Sequence, residues 1–235
     1  MEFAFTSDMD WASEYAIENL VAIAAHHKIR PTCFVTHRSE ILQSAAAEGL
    51  VELGIHPNFL AGSTQGSDVD SVIKYCLDLV PGATMVRCHS FVDGTHIASA
   101  LVRHGLRVDS NLCLYMQENL VPLEHWSGLL RLPVFFEDDV HWVRNGEWEF
   151  DKYAQKFFTT GLKILNFHPF FVALNVPDSS FYTKHKAHIP TLSRQEAGAL
   201  RFKGKGTYTF LLELIEAVIA AGHRFVPLST IAKLR

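Results

Sequence analysis

The chain has 235 residues, of which 48% are hydrophobic and 20% charged, enough for one α/β domain over residues 1–235. A net charge of −4 argues against a general nucleic-acid binder, and no apolar run reaches membrane-spanning length, since the most apolar stretch, Phe210 to Ala221, is interrupted by Glu213 and Glu216. The four cysteines, Cys33, Cys76, Cys88 and Cys113, form no C-x-x-C pair and no secretory leader opens the sequence, so reduced thiols and a cytoplasmic location are expected.

In chain order, Phe3-Ala4-Phe5-Thr6-Ser7 alternates as a buried strand and runs into Asp8-Met9-Asp10-Trp11. An Asp in such a place often caps the next helix. A strand ending in Asp-x-Asp at the mouth of a barrel can instead turn both carboxylates to one side, where a divalent ion or a water could sit. Ala12 to Lys28 has helical spacing through Ala16, Leu20, Ile23 and Ala24. Thr32 to Val35 reads as a second strand. Ser39 caps a helix through Ile41, Leu42 and Ala45 that Gly49 closes, and Val51 to Ile55 is a third strand entering His56-Pro57-Asn58. After the Gly- and Ser-rich Ala61 to Ser67, a helix starts at Ser67 or Asp68 and stops at Pro81-Gly82. Thr84 to Val86 is a short strand leading to Arg87-Cys88-His89-Ser90, Thr95 to His104 a helix, and Leu106 to Val108 a strand entering Asp109-Ser110-Asn111.

Leu112 to Gly128 reads as a strand and a wide loop, because Pro122, His125 and Trp126 break any period. Leu129 to Phe136 reads as one buried strand running into Glu137, Asp138 and Asp139. Asp151 to Phe158 reads as helix, and Leu162 to Phe167 as a strand ending in His168-Pro169. No apolar period is sustained from Asn175 to Gly206, so a long excursion with one helical turn near Glu196 is expected. A helix over Tyr208 to Ala221, a strand at Arg224 to Val226 and a terminal helix after Ser229 close the domain. Alternation of strand and helix predicts a parallel sheet whose C-terminal strand ends carry the function.

Those strand ends carry Asp8 and Asp10, then His56, then Arg87 and His89, then Glu137 with Asp138 and Asp139, then His168. Each alone has an ordinary reading, a hydrogen-bonded rim histidine or a solvated acidic turn. Their recurrence at ends that converge in a barrel points to one site. A mixed Asp and His shell suits zinc or another first-row divalent ion, and a remaining carboxylate and histidine can act as base and acid.

Thr6-Ser7-Asp8-Met9-Asp10, Glu52-Leu53-Gly54-Ile55-His56-Pro57-Asn58, Arg87-Cys88-His89-Ser90, Leu132-Pro133-Val134-Phe135-Phe136-Glu137-Asp138 and Asn166-Phe167-His168-Pro169, in this order, resemble the motifs of the polysaccharide deacetylases. These are the NodB-homology or carbohydrate esterase family 4 enzymes, and the sequence is similar to a divergent branch associated with bacterial O-antigen biosynthesis. The resemblance covers nearly the whole chain. It implies a distorted (β/α)7 barrel and metal-dependent hydrolysis, with zinc the favoured ion, of an acetyl amide or ester on a sugar. The substrate would be a sugar, a sugar nucleotide or a lipid-linked saccharide.

Carried over, Asp8 is the catalytic base and Asp10 the metal ligand, although Met9 separates residues that are commonly adjacent, so the two roles could be exchanged. His56 is a second ligand. The family's further histidine, four positions on, is Leu60 here, and His89 is expected to take its place. Arg87 would orient the base. His168 would protonate the leaving group, with Asp138 favoured over Glu137 and Asp139 as its partner.

Other readings stay open. A glycosidase could pair Asp8 with Glu137 or Asp138 without a metal. An amidase or deformylase could act on a non-acetyl amide, and a carbohydrate-binding protein could retain only the barrel. His141 with Trp142, and also Trp11 and Trp126, could face a sugar, although burial in a core is the usual fate of Trp. The basic stretch with Lys184, Lys186, Arg194, Arg201, Lys203 and Lys205 against Glu196 reads as a loop that could meet substrate phosphate. Gly204-Lys205-Gly206-Thr207 is no phosphate loop, because no strand precedes it.

Overall fold

The structure is a computed structural model that describes residues 2–144 and 146–233. β1 (Glu2–Asp8) is buried from Phe3 onward. Ser13 caps α1 (Glu14–His26) by accepting from the Ala16 N–H, β2 (Thr32–Val35) follows, and Ser39 caps α2 (Glu40–Ala47) by accepting from the Leu42 N–H. β3 (Glu52–Ile55) precedes α3 (Val69–Leu79), which Asp68 caps through the Ser71 N–H. Next come β4 (Met85–Val86), α4 (Thr95–Arg103) and β5 (Val108–Asp109). A second stretch holds β6 (Leu123–Glu124), β7 (Leu130–Arg131), β8 (Phe136–Glu137), α5 (Asp138–Val143), α6 (Ala154–Phe157) and β9 (Lys163–Asn166). The chain ends with α7 (Pro169–Leu174), α8 (Ser179–His185), α9 (Arg194–Leu200), α10 (Thr207–Ala220), β10 (Arg224–Phe225) and α11 (Leu228–Lys233).

The strands form one sheet in the order β6-β7-β5-β4-β3-β2-β1-β9-β8, with β10 against the start of β1. Apart from the β6–β7 hairpin every pairing is parallel. The sheet curls, with Val134 bridged to Cys113 on the β5 side and Phe136 paired with β9, into the distorted barrel expected from the sequence, a single domain.

Side-chain alternation divides the interior into levels. Ala4, Phe34, Met85, Leu132, Val134 and Ile164 pack as an apolar floor. Two residues further along their strands, Thr6, Arg87 and Asn166 form a polar level, and Asp8 stands above it. The opposite face of β1 sends Phe3 and Phe5 into an aromatic cluster with Phe135, Phe136, Phe167 and Phe210 beneath α10. On the other flank, α1, α2, α3 and α4 bury Ile17, Leu42, Ile73 and Leu101 against the sheet.

The single strand expected at Leu129 to Phe136 is divided. Its first half pairs with β5 and its second with β9, while the Leu132 N–H donates to Asp109, the Val134 N–H to Leu112 and the Phe135 N–H to Ile164. Pro133 has no N–H to donate; beyond it Val134 still pairs with Leu112 to Leu114 on the β5 side while Phe135 and Phe136 pair with β9, which closes the barrel. Asp138 and Asp139 do not form a loop but open α5. Asp151 to Phe158 is also less regular than expected, a 3₁₀ turn at Phe150–Lys152 followed by the short α6.

The stretch from Asn175 to Gly206 is more ordered than its pattern suggests. Asp178 caps α8 through the Phe181 N–H, and Ser193 and Glu196 form a reciprocal capping box on α9. α7 goes unseen in the sequence because all its residues are buried, which erases the helical period.

Candidate active site at the C-terminal rim of the sheet

β1 delivers Asp8 as its last residue, and the chain then turns through left-handed backbone at Asp10 (φ 39°) and Trp11 (φ 54°). A Trp in that region is strained by about 1–3 kcal/mol, a cost tolerated where surrounding contacts fix the conformation. Here the Trp11 N–H donates to Thr36 Oγ1 at 3.0 Å and the Ala12 N–H to the Met9 carbonyl at 2.8 Å. The turn holds Asp10 Oδ1 3.1 Å from His56 Nε2 and 3.1 Å from His89 Nδ1, with Oδ2 3.5 Å from His168 Nε2.

His56 follows β3, and its carbonyl is fixed by the buried Gln65. The Gln65 amide donates to the carbonyls of His56 (3.2 Å) and Thr36 (3.0 Å) and accepts from the Asn58 N–H (2.6 Å). His89 follows β4, its N–H donating to the Pro57 carbonyl at 3.0 Å, and a second left-handed pair, Ser90 and Phe91, comes directly after it. Leu60, where the family's further histidine would fall, is 44% exposed.

Asp8 is tied on both oxygens. Arg87 Nη1 donates to Oδ1 at 2.9 Å and Asn166 Nδ2 to Oδ2 at 3.0 Å. The fully buried Arg87 also donates to Asn166 Oδ1, Thr6 Oγ1 and both oxygens of Ser110, and its guanidinium lies over Phe34, 4.5 Å from the ring centroid. Five N–H donors in a rigid fork suit this many-sided role. Sequence reasoning places Asn166 only inside a motif and gives Thr6 and Ser110 no role. The usable signal for Asn166 is alternation, which puts it two residues from His168 on the barrel's inner face.

On the other side, Asp138 Oδ1 lies 2.6 Å from His168 Nδ1, and its Oδ2 accepts from the His168 N–H at 2.8 Å. Burial works against a charged imidazole, but the Asp138 carboxylate outweighs it and raises the His168 pKa well above its ordinary value. Burial pushes Asp138 up to about 6, against the pull of His168. Asp10 is likewise penalised by burial, yet the bonds from His56 and His89 hold it well below the usual carboxylate range. His89 is raised, burial again being outweighed by Asp10.

A cavity of about 260 Å³ opens over these groups, lined by Asp8, Asp10, His56, His89, Glu137 and His168 among others. The donor set fits a divalent ion. Oδ1 of Asp10, Nε2 of His56 and Nδ1 of His89 converge at 3.1 Å contacts, close to the roughly 3.3 Å that tetrahedral bonds of about 2.0–2.1 Å place between ligands. The Nδ1 of His56 is buried and makes no hydrogen bond.

Other candidates fall elsewhere. His141 is fully buried, with Nδ1 against the Tyr115 hydroxyl (2.6 Å) and Nε2 against the Glu147 carbonyl (2.8 Å), so it belongs to the core and not to a sugar site. Trp142, half-buried, packs on Phe171, centroids 4.7 Å apart. Trp11 meets His89 edge-on at 5.3 Å, and Trp126 is 65% exposed beside His125.

Much of the basic stretch is neutralised locally. Arg194 pairs with Glu18, Lys205 pairs with Glu213, and Arg201 stacks on Tyr208, while Lys184, Lys186 and Lys203 stay exposed. At Gly204 to Thr207 the N–H groups of Tyr208 and Thr209 donate to Asn175 Oδ1, so a side chain caps α10 there.

The fold and motifs agree with known proteins. No curated protein sequence matches this chain. A protein from Bordetella bronchiseptica, assigned as a polysaccharide deacetylase involved in O-antigen biosynthesis, superposes with a TM-score of 0.82 at 29% identity, over 92% of this chain and 89% of that one. A family 4 carbohydrate esterase from Streptomyces lividans (TM-score 0.50, 12% identity, 94% and 90% covered) and one from Bacillus anthracis (0.51, 14%, 100% and 83%) share the fold. The family model described as WbmS-like polysaccharide deacetylase matches residues 5–186, and the chain belongs to that family.

Proposed function

We propose that this protein is a metal-dependent deacetylase that removes an acetyl group from a sugar of a bacterial surface polysaccharide, or from its nucleotide- or lipid-linked precursor. The observation that carries the reading is the convergence of Asp10, His56 and His89, flanked by the Asp8–Arg87 pair on one side and the His168–Asp138 pair on the other. Membership of the family and the likeness to the O-antigen protein of Bordetella bronchiseptica support the substrate class.

Asp10, His56 and His89 would hold the ion, zinc by donor chemistry. When bound, such an ion supplies Lewis acidity toward the acyl oxygen and a water beside it. Asp8 takes the proton of the attacking water, its carboxylate aimed by Arg87 and Asn166. The water oxygen bonds to the acyl carbon, the bond from that carbon to the sugar nitrogen or oxygen breaks, and Nε2 of His168 gives its proton to the leaving atom. Asp138 holds the other ring nitrogen, which keeps the imidazolium charged and oriented.

Among the described residues no helix is long and apolar enough to cross a membrane, and the cysteines are unpaired, with Cys33, Cys76 and Cys113 pushed up to about 12 by burial. Unpaired, inert thiols favour a reducing compartment such as the cytoplasm. A glycosidase is less well supported, since Asp10 is held by two imidazoles in an arrangement that suits an ion. The test is acetate release from acetylated sugars by protein loaded with zinc and by the same protein after chelation. Activity that survives complete metal removal would sink the reading.

A further inference from the structure

The mechanism above leaves Glu137 unused, yet Glu137 is 4% exposed, lines the cavity, and has one carboxylate oxygen, Oε2, with no hydrogen-bond partner. A buried acceptor without a donor costs about 1–3 kcal/mol, more when charged, so a site that keeps one is built for a donor that arrives. Burial, then the neighbouring Asp139, push the Glu137 carboxyl well above the usual range. A donor that reaches the carboxylate opposes that push by favouring its charged form.

Its position says which donor. A Glu137 oxygen, an Asp8 oxygen and a His168 ring nitrogen all lie within 4.8 Å of one another, so Glu137 sits beside both base and acid, within reach of the atom that His168 protonates. A second dication is a poor occupant. Asp8 spends both oxygens on Arg87 and Asn166, His168 spends Nδ1 on Asp138, and the Arg87 guanidinium sits 2.9 Å from Asp8.

A scissile amide and a scissile ester differ at this point. The amide nitrogen carries an N–H, whereas the ester oxygen carries no hydrogen. Resting on the deacetylase reading, we propose that Glu137 Oε2 accepts the N–H of the scissile amide, which makes the substrate an N-acyl amino sugar and not an O-acyl ester. During hydrolysis the nitrogen becomes pyramidal, its lone pair takes the His168 proton as the C–N bond breaks, and its original N–H stays on Glu137. The released amine, once it picks up a further proton from solvent, is an ammonium facing Glu137 and Asp139, whose Oδ1 is likewise buried and unpartnered. An ester substrate would leave both acceptors unmet, and sites built for a donor discriminate strongly against its absence.

The experiment compares zinc-loaded wild type with Glu137→Leu, which keeps the approximate volume and removes both acceptor oxygens, on N-acetylglucosamine and on 2-O-acetylglucose. The expected result is a kcat/KM loss of about 10- to 100-fold on the amide and less than about threefold on the ester, a difference of the size one lost hydrogen bond produces. Equal losses on both, or none on either, would overturn the assignment. A zinc titration and a glucosamine-against-glucose binding comparison keep it testable if the variant folds poorly. Wild type should bind one zinc and prefer glucosamine. A second zinc that depends on Glu137, or no preference for the amine, would also overturn it. Wild type that releases acetate from the ester alone refutes the amide assignment while leaving deacetylation standing, whereas release from neither sugar counts against both.

Discussion

Met9 decides how the site is divided between two carboxylates. Its side chain is fully buried in the core shared with α1 and α7, which anchors the strand end and leaves Asp8 inside the barrel and Asp10 on the strained turn above it. Asp8 is bound by a guanidinium and an amide, and Asp10 by imidazoles. On the proposed mechanism these environments suit proton transfer at Asp8 and ion binding at Asp10. Asp10→Asn should weaken zinc affinity on the order of 10²-fold or more. Asp8→Asn should leave affinity within about threefold while kcat falls by about 10²–10⁴. Competition against a chromogenic chelator reads the affinities, and the reverse pattern would exchange the two roles.

Residue identity at the strand ends was readable in the sequence because each candidate follows a short apolar run. What lay out of reach was the supporting set. Thr6 and Ser110 look like any strand or loop hydroxyl until Arg87 is seen to touch both, and Glu137 looks like part of a solvated acidic turn until β8 is found buried.

At the scale of elements, the loop after β3 is organised by one side chain. Gln65 bridges the carbonyls of His56 and Thr36 and the N–H of Asn58, so it fixes the backbone that carries His56 without touching the cavity's ligand atoms. Gln65→Leu keeps the volume and loses all these bonds. It should lower zinc affinity about 10- to 100-fold, as loss of an orienting partner does, with KM for an acetylated sugar changing less than kcat at subsaturating zinc. Saturating zinc should restore kcat, and failure to do so would mean the loop serves something other than His56.

α5 carries a different lesson. Its His141 follows an acidic cluster, which invites a catalytic reading, but the helix turns it into an aromatic core with Trp148, Tyr153 and Phe210. Burial lowers its pKa to about 4. The unfolded chain therefore binds a proton in the window from about 6.5 down to 4 that the native state does not, so this residue's contribution to stability is lost as pH falls through that window, by up to about 3 kcal/mol. Denaturant unfolding between pH 7 and 4, with the ring titration followed by NMR, checks this. A His141 that titrates near 6.5 in the folded protein would refute it.

The expected strand at Leu129 to Phe136 failed at this same scale. Hydrophobic pattern reports burial but not partner, and a run that pairs with β5 at one end and β9 at the other is as apolar as one that does not. α7 failed for a related reason, since complete burial removes the contrast on which helical periodicity depends.

Over the whole molecule, the barrel sets an apolar floor beneath a polar level and places the open site above both. Carboxylates and imidazoles are thus gathered around the cavity at the C-terminal ends of the strands. Such a gathering is unfavourable in the free protein, because the imidazoles of His56 and His89 share one carboxylate oxygen of Asp10. An ion that binds only the native state relieves this and stabilises by mass action, about 2.7 kcal/mol at a free concentration one hundred times Kd. For a chain of this size each kcal/mol shifts Tm by about 2–4 °C, so zinc at that excess should raise Tm by roughly 5–11 °C. The same addition to Asp10→Asn should move Tm by less than about 2 °C at a matched zinc concentration, because the hundredfold loss of affinity leaves the site half filled at best. Scanning calorimetry of metal-free and zinc-loaded protein makes the comparison. A wild-type Tm indifferent to zinc would mean that these side chains do not converge on an ion.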